Sequence, residues 1–338
     1  MDRKEKIFSE EIEYSVKKIS QWYRKNTKTL SIITSPFNNN YILEDVILEV
    51  LNNRKNVLYV WGQNGEDRTL IEELKKIKKN ITYSTIDSGE SKSNITFVNY
   101  KNIGKISGKY ELTIFDDISN FSTLSKEALR TKYENLIKIS NRMILYTIEP
   151  ITPLGDKLEV APICSKNPFV EPRFITTRID LNKDIPYILY DYLKWFRDKR
   201  KNIIIYVPSK EKLSLVYDYY ANKLKIEGVK VIAISRRDDK KNIKNVLKIK
   251  DKATFIITDF MEESLKDLKI DNAIVLFSDD EKYNYKKFLY LCGEIGKINI
   301  NLPEVLFVSR EVSEEMEIAK DMARDFNKKI WEKRLMKL

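Results

Sequence analysis

The chain has 338 residues, of which 42% are hydrophobic and 33% are charged, and its formal net charge is +11. This length exceeds what one hydrophobic core usually holds, so two soluble domains are expected. The complete absence of His excludes Ser-His-Asp and Cys-His nucleophiles and most zinc enzymes, and no metal site is expected. Two cysteines, a charged amino terminus and the lack of a long apolar run together predict a cytoplasmic protein without a signal peptide or membrane span.

The excess of positive charge favours a polyanionic partner, of which nucleic acid is the main candidate. Residues 1–184 carry 29 Lys and Arg against 25 Asp and Glu, whereas residues 185–338 carry 32 against 25. The second half is therefore the more basic. The chain is also rich in Lys, Ile and Asn, as AT-rich coding tends to produce. Nucleic-acid contact and coding bias both remain open as explanations of the charge.

Residues 30–51, LSIITSPFNNNYILEDVILEVL, predict a strand, a tight turn at Ser35–Asn40 and a helix. This succession is the scaffold of a phosphate-binding loop, because a helix N-terminus presents backbone N–H groups to an anion. When GxxxxGK[ST] is placed on the loop, Tyr41 stands at the Lys and Ile42 at the hydroxyl residue. The cation for the phosphates and the oxygen for Mg²⁺ are both missing. An ordinary strand–helix turn is the alternative interpretation.

A second candidate element is ELTIFDDISNF at residues 111–121. Its apolar strand ends in Asp116 and Asp117, at the carboxyl end where open α/β sheets bind ligands. In phosphoryl-transfer enzymes the first such acid holds Mg²⁺ and the second orients the attacking water. The alternative is a structural cap, since Asp is favoured at helix starts.

Strands and helices alternate through residue 150, which predicts a parallel sheet covered on both faces. Four prolines interrupt this rhythm between residues 151 and 184, and the alternation then restarts with an aromatic-rich helix after Pro186. Strands are predicted at NIIIYVPS, VKVIAIS, TFIITD and NAIVLFS. The predicted fold is α/β, with two tandem RecA-like domains, each a mostly parallel sheet with helices on both faces. Domain 1 is placed at residues 1–172, a linker at 173–184 and domain 2 at 185–338.

In this order the motifs resemble those of superfamily 2 helicases, most closely the ATPase core of the ComFA family of late-competence DNA-uptake proteins. The resemblance covers essentially the whole chain as order and spacing of elements. TSPFNNNYILE stands where the family has an APTGSGKTE-like loop, IFDDISNF stands for IIDEVDAF, and YTIEP stands for LTATP. In the second domain, ITDFMEESL stands for TTxxxERGV and YLCGEIGK for QxxGRxGR. No four-Cys zinc module precedes these motifs.

The resemblance implies that the catalytic groups have been replaced. Its phosphate-binding Lys and Mg²⁺-binding hydroxyl correspond to Tyr41 and Ile42, and its motif V Arg corresponds to Glu263. The two motif VI arginines correspond to Glu294 and Lys297, and Lys lacks the planar fork of an arginine finger. No catalytic residues are therefore expected, and Asp116 and Asp117 become remnants of motif II. The motif VI Gln aligns with Tyr290, while the glycines Gly293 and Gly296 remain.

These observations predict a catalytically inactive helicase-like protein linked to DNA uptake or processing. It is expected to bind nucleic acid, with single-stranded DNA as the expected partner, or to serve as a scaffold for a protein partner. No cofactor is expected, although Asn tolerates left-handed backbone and weak binding of ATP with Mg²⁺ stays open. One alternative is a residual ATP-binding protein or weak DNA-dependent ATPase with a rearranged site on Asp116, Asp117 and Lys297. Another is a protein-interaction subunit without nucleic-acid contact. The residues expected at a weak nucleotide site are Ser35, Asn38, Asn39, Asn40 and Asp116.

Overall fold

The computed structural model describes residues 3–25, 27–63, 65–86, 93–119, 122, 124–161, 168–235, 252–261, 270, 272–297 and 303–332. The chain divides into two compact units, one formed by residues 1–166 with 329–338 and the other by residues 167–328. Within the described ranges each unit contains one sheet, with strand order β3-β4-β2-β5-β6-β1-β7 in the first and β10-β11-β9-β12-β13-β8 in the second.

The first unit contains seven described strands. They are β1 (Thr29–Ile33), β2 (Val57–Trp61), β3 (Tyr83–Thr85), β4 (Ile95–Asn99), β5 (Tyr110–Asp116), β6 (Ser140–Thr147) and β7 (Asp156–Glu159). Its described α-helices are α1 (Arg3–Arg24), α2 (Glu44–Asn52), α3 (Arg68–Ile77) and α4 (Lys126–Leu136), and 3₁₀ turns occupy Tyr41–Leu43 and Tyr100–Lys105. Every registered strand pair in this sheet is parallel.

The core of the first unit follows from the alternation of side chains along its strands, which sends successive residues to opposite faces. Leu58 and Val60 of β2 pack on the face covered by α4, together with Leu129. Tyr59, between them in sequence, points to the other face, where its ring lies 5.3 Å from that of Phe97. Helices therefore cover both faces of the first sheet.

The second unit contains six described strands. They are β8 (Arg173–Thr176), β9 (Ile203–Tyr206), β10 (Val229–Ile234), β11 (Ala253–Thr258), β12 (Asn272–Leu276) and β13 (Val305–Ser309). Its described helices are α5 (Tyr187–Asp198), α6 (Lys210–Asp218), which continues into a π-helical turn at Tyr219–Leu224, α7 (Tyr285–Lys297) and α8 (Glu314–Glu332). The registered pairs are again all parallel.

The second sheet is also covered on both faces. Leu306 and Val308 of β13 belong to the cluster that includes the buried residues of α5 and α6. Phe307, on the opposite face, lies with its ring centroid 4.3 Å from that of Phe288 in α7. Lys320 of α8 reaches the ring of Phe174 on this same side. The predicted fold class is thereby confirmed for both units.

The structure departs from the sequence interpretation at three strands. Strand β7, which pairs with β1, lies in the segment after residue 150 where no strand was predicted. The segment predicted as a linker, residues 173–184, begins with β8, which pairs with β13 and is part of the second sheet. Strand β13 itself had not been predicted, although VLFVS is a short apolar run after Pro303. The sequence pattern does not indicate these three strands, because β7 and β8 lie among prolines and β13 follows a long helical stretch. The unit boundary lies near residue 166, before the predicted linker.

Candidate functional site

The register of the first sheet brings the two candidate elements of the first unit together. Ile33 at the end of β1 is opposite Thr147 of β6, and Asp116 at the end of β5 is opposite Tyr146 of the same strand. Because the strands are parallel, the loop after β1 and the carboxylates after β5 lie at one edge of the sheet. The Phe37 N–H donates to the carbonyl of Ile118 at 2.9 Å, which ties the two loops directly.

The asparagines of the loop bind the loop's own backbone. Oδ1 of Asn38 accepts from the N–H of Asn39 at 3.1 Å, and Oδ1 of Asn39 accepts from the N–H of Tyr41 at 2.8 Å. Asn38 also donates through Nδ2 to Thr34 Oγ1 at 2.8 Å and to the carbonyl of Ala161 at 3.1 Å. The N–H groups of Asn39 and Tyr41, at the start of the helix, are therefore already paired with side chains instead of being available to an anion.

Asn40 starts a buried hydrogen-bond chain that ends at Asp116. Its Nδ2 donates to the hydroxyl of Tyr59 at 3.0 Å and to Oδ2 of Asp67 at 2.9 Å. The Tyr59 hydroxyl donates to Oδ2 of Asp116. Asp67 caps α3 by accepting from the N–H of Leu70 at 3.1 Å, so the chain is anchored to a helix start. Tyr59 and Asp116 are both almost completely buried.

Both carboxylate oxygens of Asp116 accept hydrogen bonds. Its Oδ1 accepts from the N–H groups of Ile118 at 2.9 Å and Ser119 at 2.8 Å, while Oδ2 is held by Tyr59. Burial raises the pKa of this carboxyl, and the hydrogen bonds from Ser119, Tyr59 and Ile118 oppose that rise. Burial, followed by the negative charge of Asp116, raises the pKa of Tyr59 well above its ordinary value. Both oxygens of Asp116 therefore already accept hydrogen bonds from the protein.

The neighbouring acid, Asp117, is also buried and also caps the loop that follows it. Its Oδ1 accepts from the N–H of Ser122 at 3.3 Å and from the hydroxyl of the same residue. Asp116 and Asp117 thus both accept hydrogen bonds from the loop that follows them, and neither is the cap of a described helix, since α4 is capped by Ser125. Ser35, the first residue of the predicted nucleotide site, is buried, and its hydroxyl has no partner among the residues described.

The two residues that the resemblance places at the phosphate-loop Lys and hydroxyl lie in different environments. Tyr41 is 40% exposed, at the start of the 3₁₀ turn. Ile42, in the same turn, is only 1% exposed and belongs to the hydrophobic core. The position that the resemblance assigns to a metal-binding hydroxyl is therefore a packing position in this fold.

In the second unit, two residues that the resemblance assigns to motif VI, Tyr290 and Glu294, lie on α7 and are buried. Tyr290 and Glu294 are 4% and 7% exposed. Burial, followed by the proximity of Tyr290, Tyr283 and Glu294, raises the pKa of Tyr206 well above its ordinary value. Glu294 is thus one member of a tyrosine-rich cluster. Lys297 is the last residue of α7, and Glu263 lies outside the described residues.

Sequence reasoning missed Tyr59 and Asp67, the residues that connect Asn40 to Asp116. Tyr59 lies in a strand that reads as uniformly apolar, NVLYVWG, and nothing in that pattern indicates where its hydroxyl goes. Asp67 carries the signal of a helix N-cap, two residues after Gly65. Only the parallel order β2-β5 places Tyr59 beside the strand that ends in Asp116.

Comparison with known proteins identifies the fold but no family. No family model matches the sequence, and no curated protein matches it. The crystal structure of the E. coli DExH-box NTPase HrpB is similar, with a TM-score of 0.51 and 11% identity over 90% of this chain. A structure of the E. coli DEAH/RHA helicase HrpB gives a TM-score of 0.48 and 10% identity over 91% of the chain.

The chain spans 41% of the length of the first of these proteins and 43% of the second. At this identity the likeness shows the fold alone. The shared fold agrees with the predicted pair of RecA-like domains, and the relationship to superfamily 2 helicases stays a prediction. The relationship to ComFA stays a prediction.

Membrane-spanning helices and metal clusters are both absent from the described part of the chain. No helix in these ranges is both long and apolar enough to cross a membrane. Among the same residues, no three Cys, Asp or Glu side chains are grouped so that they could hold a metal ion.

Proposed function

We propose that this protein is a catalytically inactive, helicase-like module that binds single-stranded nucleic acid and serves DNA uptake or processing, as the ComFA-like motif order suggests. The observation that carries the proposal is the Asn40–Tyr59–Asp116 hydrogen-bond chain. It occupies the carboxyl edge of the first sheet, where a nucleotide-hydrolysing protein of this fold needs a free acid and free backbone donors.

The replaced positions support the absence of hydrolysis. Tyr41 supplies no cation for the phosphates, Ile42 is a core residue, and Asp116 is a buried acid whose oxygens already accept hydrogen bonds. An arginine finger is worth on the order of 10³–10⁵ in rate, and the aligned position holds Glu294. Recovery of one group cannot compensate for the loss of the others, since the chemistry needs them together.

The second unit offers a surface suited to unstacked bases. On α5, Tyr187 is 73% exposed, and its ring centroid lies 6.4 Å from that of Tyr190. Nζ of Lys194 lies 5.1 Å from the Tyr190 ring centroid. Aromatic rings beside a cation on an exposed helix are what sequence-tolerant single-strand binders use, and stacking contributes about 1–3 kcal/mol per base. This unit also belongs to the more basic half of the chain.

The function is tested by measuring ATP turnover and DNA binding on the same preparation. We expect no ATP hydrolysis above buffer, with or without a dT₂₀ strand. We expect dT₂₀ and dA₂₀ to bind alike, with affinity falling steeply between about 50 and 200 mM salt because counterions are released. Tyr187→Ala should weaken dT₂₀ binding about fivefold or more, since one stacking platform is lost. Tyr217→Ala, at another partly exposed tyrosine of the same unit, is the matched control.

Each contrary result selects a different function. Strand-stimulated turnover that Asp116→Asn abolishes would establish a residual ATPase. Absence of strand binding at low salt, with a soluble folded protein, would favour a protein-interaction subunit. Equal effects of Tyr187→Ala and Tyr217→Ala would show that α5 does not contact the strand. Binding through the positive charge of the second unit would still be consistent with that result.

A further inference from the structure

A polar cavity of about 420 Å³ lies at the edge of the first sheet opposite to the asparagine loop. Its walls come from the residues that precede or begin four neighbouring parallel strands, β2, β4, β5 and β6. All of these strands start at this edge and end at the other, so the cavity is distinct from the site described above. Its volume falls within the range of about 300–1,000 Å³ that is typical of small-molecule sites.

The cavity carries an excess of positive charge. Arg54, Lys55 and Lys109 line it, with Glu111 as the acidic side chain among its lining residues. Nζ of Lys55 lies 3.0 Å from Oε1 of Glu111, which pairs those two charges. Arg54 and Lys109 have no ion pair with the part of the chain that the structure describes. Two cationic side chains are therefore left to face a ligand.

The Glu111 carboxylate is already bound by neighbouring side chains. Besides Lys55, it accepts from Nδ2 of Asn141 at 3.0 Å and from the hydroxyl of Tyr23 at 3.3 Å. Burial raises the pKa of this carboxyl, but the bonds from Asn141, Lys55 and Tyr23 prevail and the pKa lies below its ordinary value. Glu111 is thus ionised and saturated at neutral pH, and it fixes Lys55 as part of the wall.

The walls of the cavity are preorganised. Asn56 donates through Nδ2 to the carbonyl of Lys109 at 3.1 Å and accepts at Oδ1 from the N–H of Glu111 at 3.1 Å. These two bonds join the turn before β2 to the turn before β5. Arg54 has a left-handed backbone, with φ of 58°, that ends α2, and its N–H donates to the carbonyl of Leu51 at 3.2 Å. The backbones that carry both unpaired cations are therefore fixed before any ligand arrives.

The carbonyl end of α2 would oppose an anion, because a helix dipole places partial negative charge there. Nζ of Lys78 donates to the carbonyl of Leu51 at 2.9 Å and to Oδ1 of Asn52 at 3.1 Å, which offsets that charge. The net charge around the cavity consequently remains positive. Tyr110 adds an aromatic side chain to the lining.

From this arrangement we infer that the cavity binds a phosphate monoester. Such a group carries close to two negative charges at neutral pH, which matches the two unpaired cations, and a guanidinium can bind two of its oxygens together. A single phosphodiester carries one charge and matches less well. The monoester has two sources, a free mononucleotide-sized molecule or the 5′-phosphate at the end of a nucleic-acid strand.

The test uses calorimetry at constant ionic strength with four probes. The affinity for thymidine 5′-monophosphate is compared with that for thymidine, which lacks the phosphate. The affinity for dT₁₀ carrying a 5′-phosphate is compared in the same way with that for dT₁₀ without it. The variants are Arg54→Ala with Lys109→Ala, and the charge-matched control Lys101→Ala with Lys210→Ala, whose exposed side chains lie outside the cavity lining. A second pair, Arg54→Lys with Lys109→Arg, keeps both charges. Circular dichroism checks that each variant is folded.

We expect at least one phosphorylated probe to bind more tightly than its unphosphorylated counterpart. The cavity variant should lose about tenfold or more of that affinity, because hydrogen bonds to charged groups are removed. The control and the charge-retaining pair should stay within about threefold of the native protein. Preference for the phosphorylated strand identifies a strand end, and preference for the free nucleotide identifies a small molecule.

The inference is overturned if no probe distinguishes the presence of the phosphate, or if the control variant loses as much affinity as the cavity variant. Should the double Ala variant fail to fold, the charge-retaining pair is compared with Arg54→Gln alone, and equal affinities would overturn the inference in the same way. This result does not depend on ATP turnover or on Tyr187, so it stands or fails separately from the proposed function.

Discussion

Nδ2 of Asn40 lies 3.0 Å from the hydroxyl of Tyr59, and that hydroxyl donates in turn to Asp116. Asn40 belongs to the loop after β1, Tyr59 to β2 and Asp116 to the end of β5. The three side chains therefore join the loop to the ends of two strands beneath it. A buried chain of this kind is costly when one member is removed, because the remaining donors and acceptors lose their partners without gaining water.

Removal of the central hydroxyl should destabilise the protein. We expect Tyr59→Phe to lower the free energy of unfolding by about 1–3 kcal/mol, since Asn40 and Asp116 each lose a buried partner. Urea titration measures the change. Tyr83→Phe, at a partly exposed tyrosine of the same unit, should change the value by less than about 0.5 kcal/mol. If the two substitutions cost the same, the hydroxyl of Tyr59 contributes nothing to the fold.

Glu44 predicts a pH dependence of stability. Burial first, and then repulsion from Glu73 and Asp45, raises its pKa from 4.5 to about 7, while Lys76 opposes the rise. A raised acid pKa contributes stability that is fully present below about pH 4.5 and is lost as the pH rises through about 7. Glu44→Gln should therefore be the more stable form at pH 8 by about 1 kcal/mol, a value reduced by solvent screening of this partly exposed group.

At pH 5 the native protein and Glu44→Gln should unfold at nearly the same urea concentration, because the native side chain is then protonated. Glu72→Gln, at an exposed acid on α3, serves as the control and should show no such pH-dependent gain. An equal gain for both variants at pH 8 would mean that only net charge matters. A gain for Glu44→Gln that persists at pH 5 would contradict the titration of Glu44.

Gly296 is a glycine that the fold itself requires. A Cβ at this position would lie 2.3 Å from the carbonyl oxygen of Pro168, which is backbone and cannot move aside cheaply. We expect Gly296→Ala to lower the stability of the second unit by about 1–3 kcal/mol through overpacking. This loss is expected even though Ala has a higher helix propensity than Gly. At Gly104 nothing lies within 4 Å of such a Cβ.

Gly104→Ala should accordingly be close to neutral in the same thermal or urea titration. Gly296 aligns with a motif VI glycine of the helicase family, and the contact with Pro168 supplies a packing reason for its presence in a protein proposed to be inactive. Equal stability of the two variants would show that the backbone of Pro168 does not constrain the residue at position 296.

A four-residue change tests whether the asparagine loop occupies the position of a phosphate loop. Replacing Asn38, Asn40, Tyr41 and Ile42 with Gly, Gly, Lys and Thr supplies the missing cradle, cation and hydroxyl. Each regained charge-assisted hydrogen bond should contribute about 1.5–3 kcal/mol, enough to make ATP binding measurable by calorimetry. Turnover should stay absent, because the resemblance still places Glu263 and Glu294 at the positions of the required arginines.

The structure also predicts the stability of that variant. It should be less stable than the native protein, since Asn38 and Asn40 donate buried hydrogen bonds and Ile42 is a core residue. Tyr41→Lys alone is the control, because Tyr41 is exposed and the single change should leave stability nearly unaltered. If the folded four-residue variant binds ATP no better than Tyr41→Lys, the loop has been placed wrongly in the helicase alignment.

Much of the fold was determined by the sequence alone. Short apolar runs alternating with helical periodicity predicted the two parallel sheets, and the resemblance to helicases supplied the expected order of motifs. Such patterns can be recognised within a short segment, because a buried strand needs apolar side chains on both of its faces wherever it lies in the chain. The strands that were missed, β7, β8 and β13, lie where prolines or a long helical stretch obscure that local signal.

The environment of the site was decided only by the tertiary structure. The sequence left Asp116 open between a metal ligand and a cap, because both need an acid at the end of a strand. The strand order placed Tyr59 beside Asp116 and the loop asparagines above them, and it carried Ile42 into the core. Hydrogen bonds between residues far apart in sequence depend on strand order and register. The pattern of any single segment does not contain that information, so only the assembled sheet could show what these side chains contact.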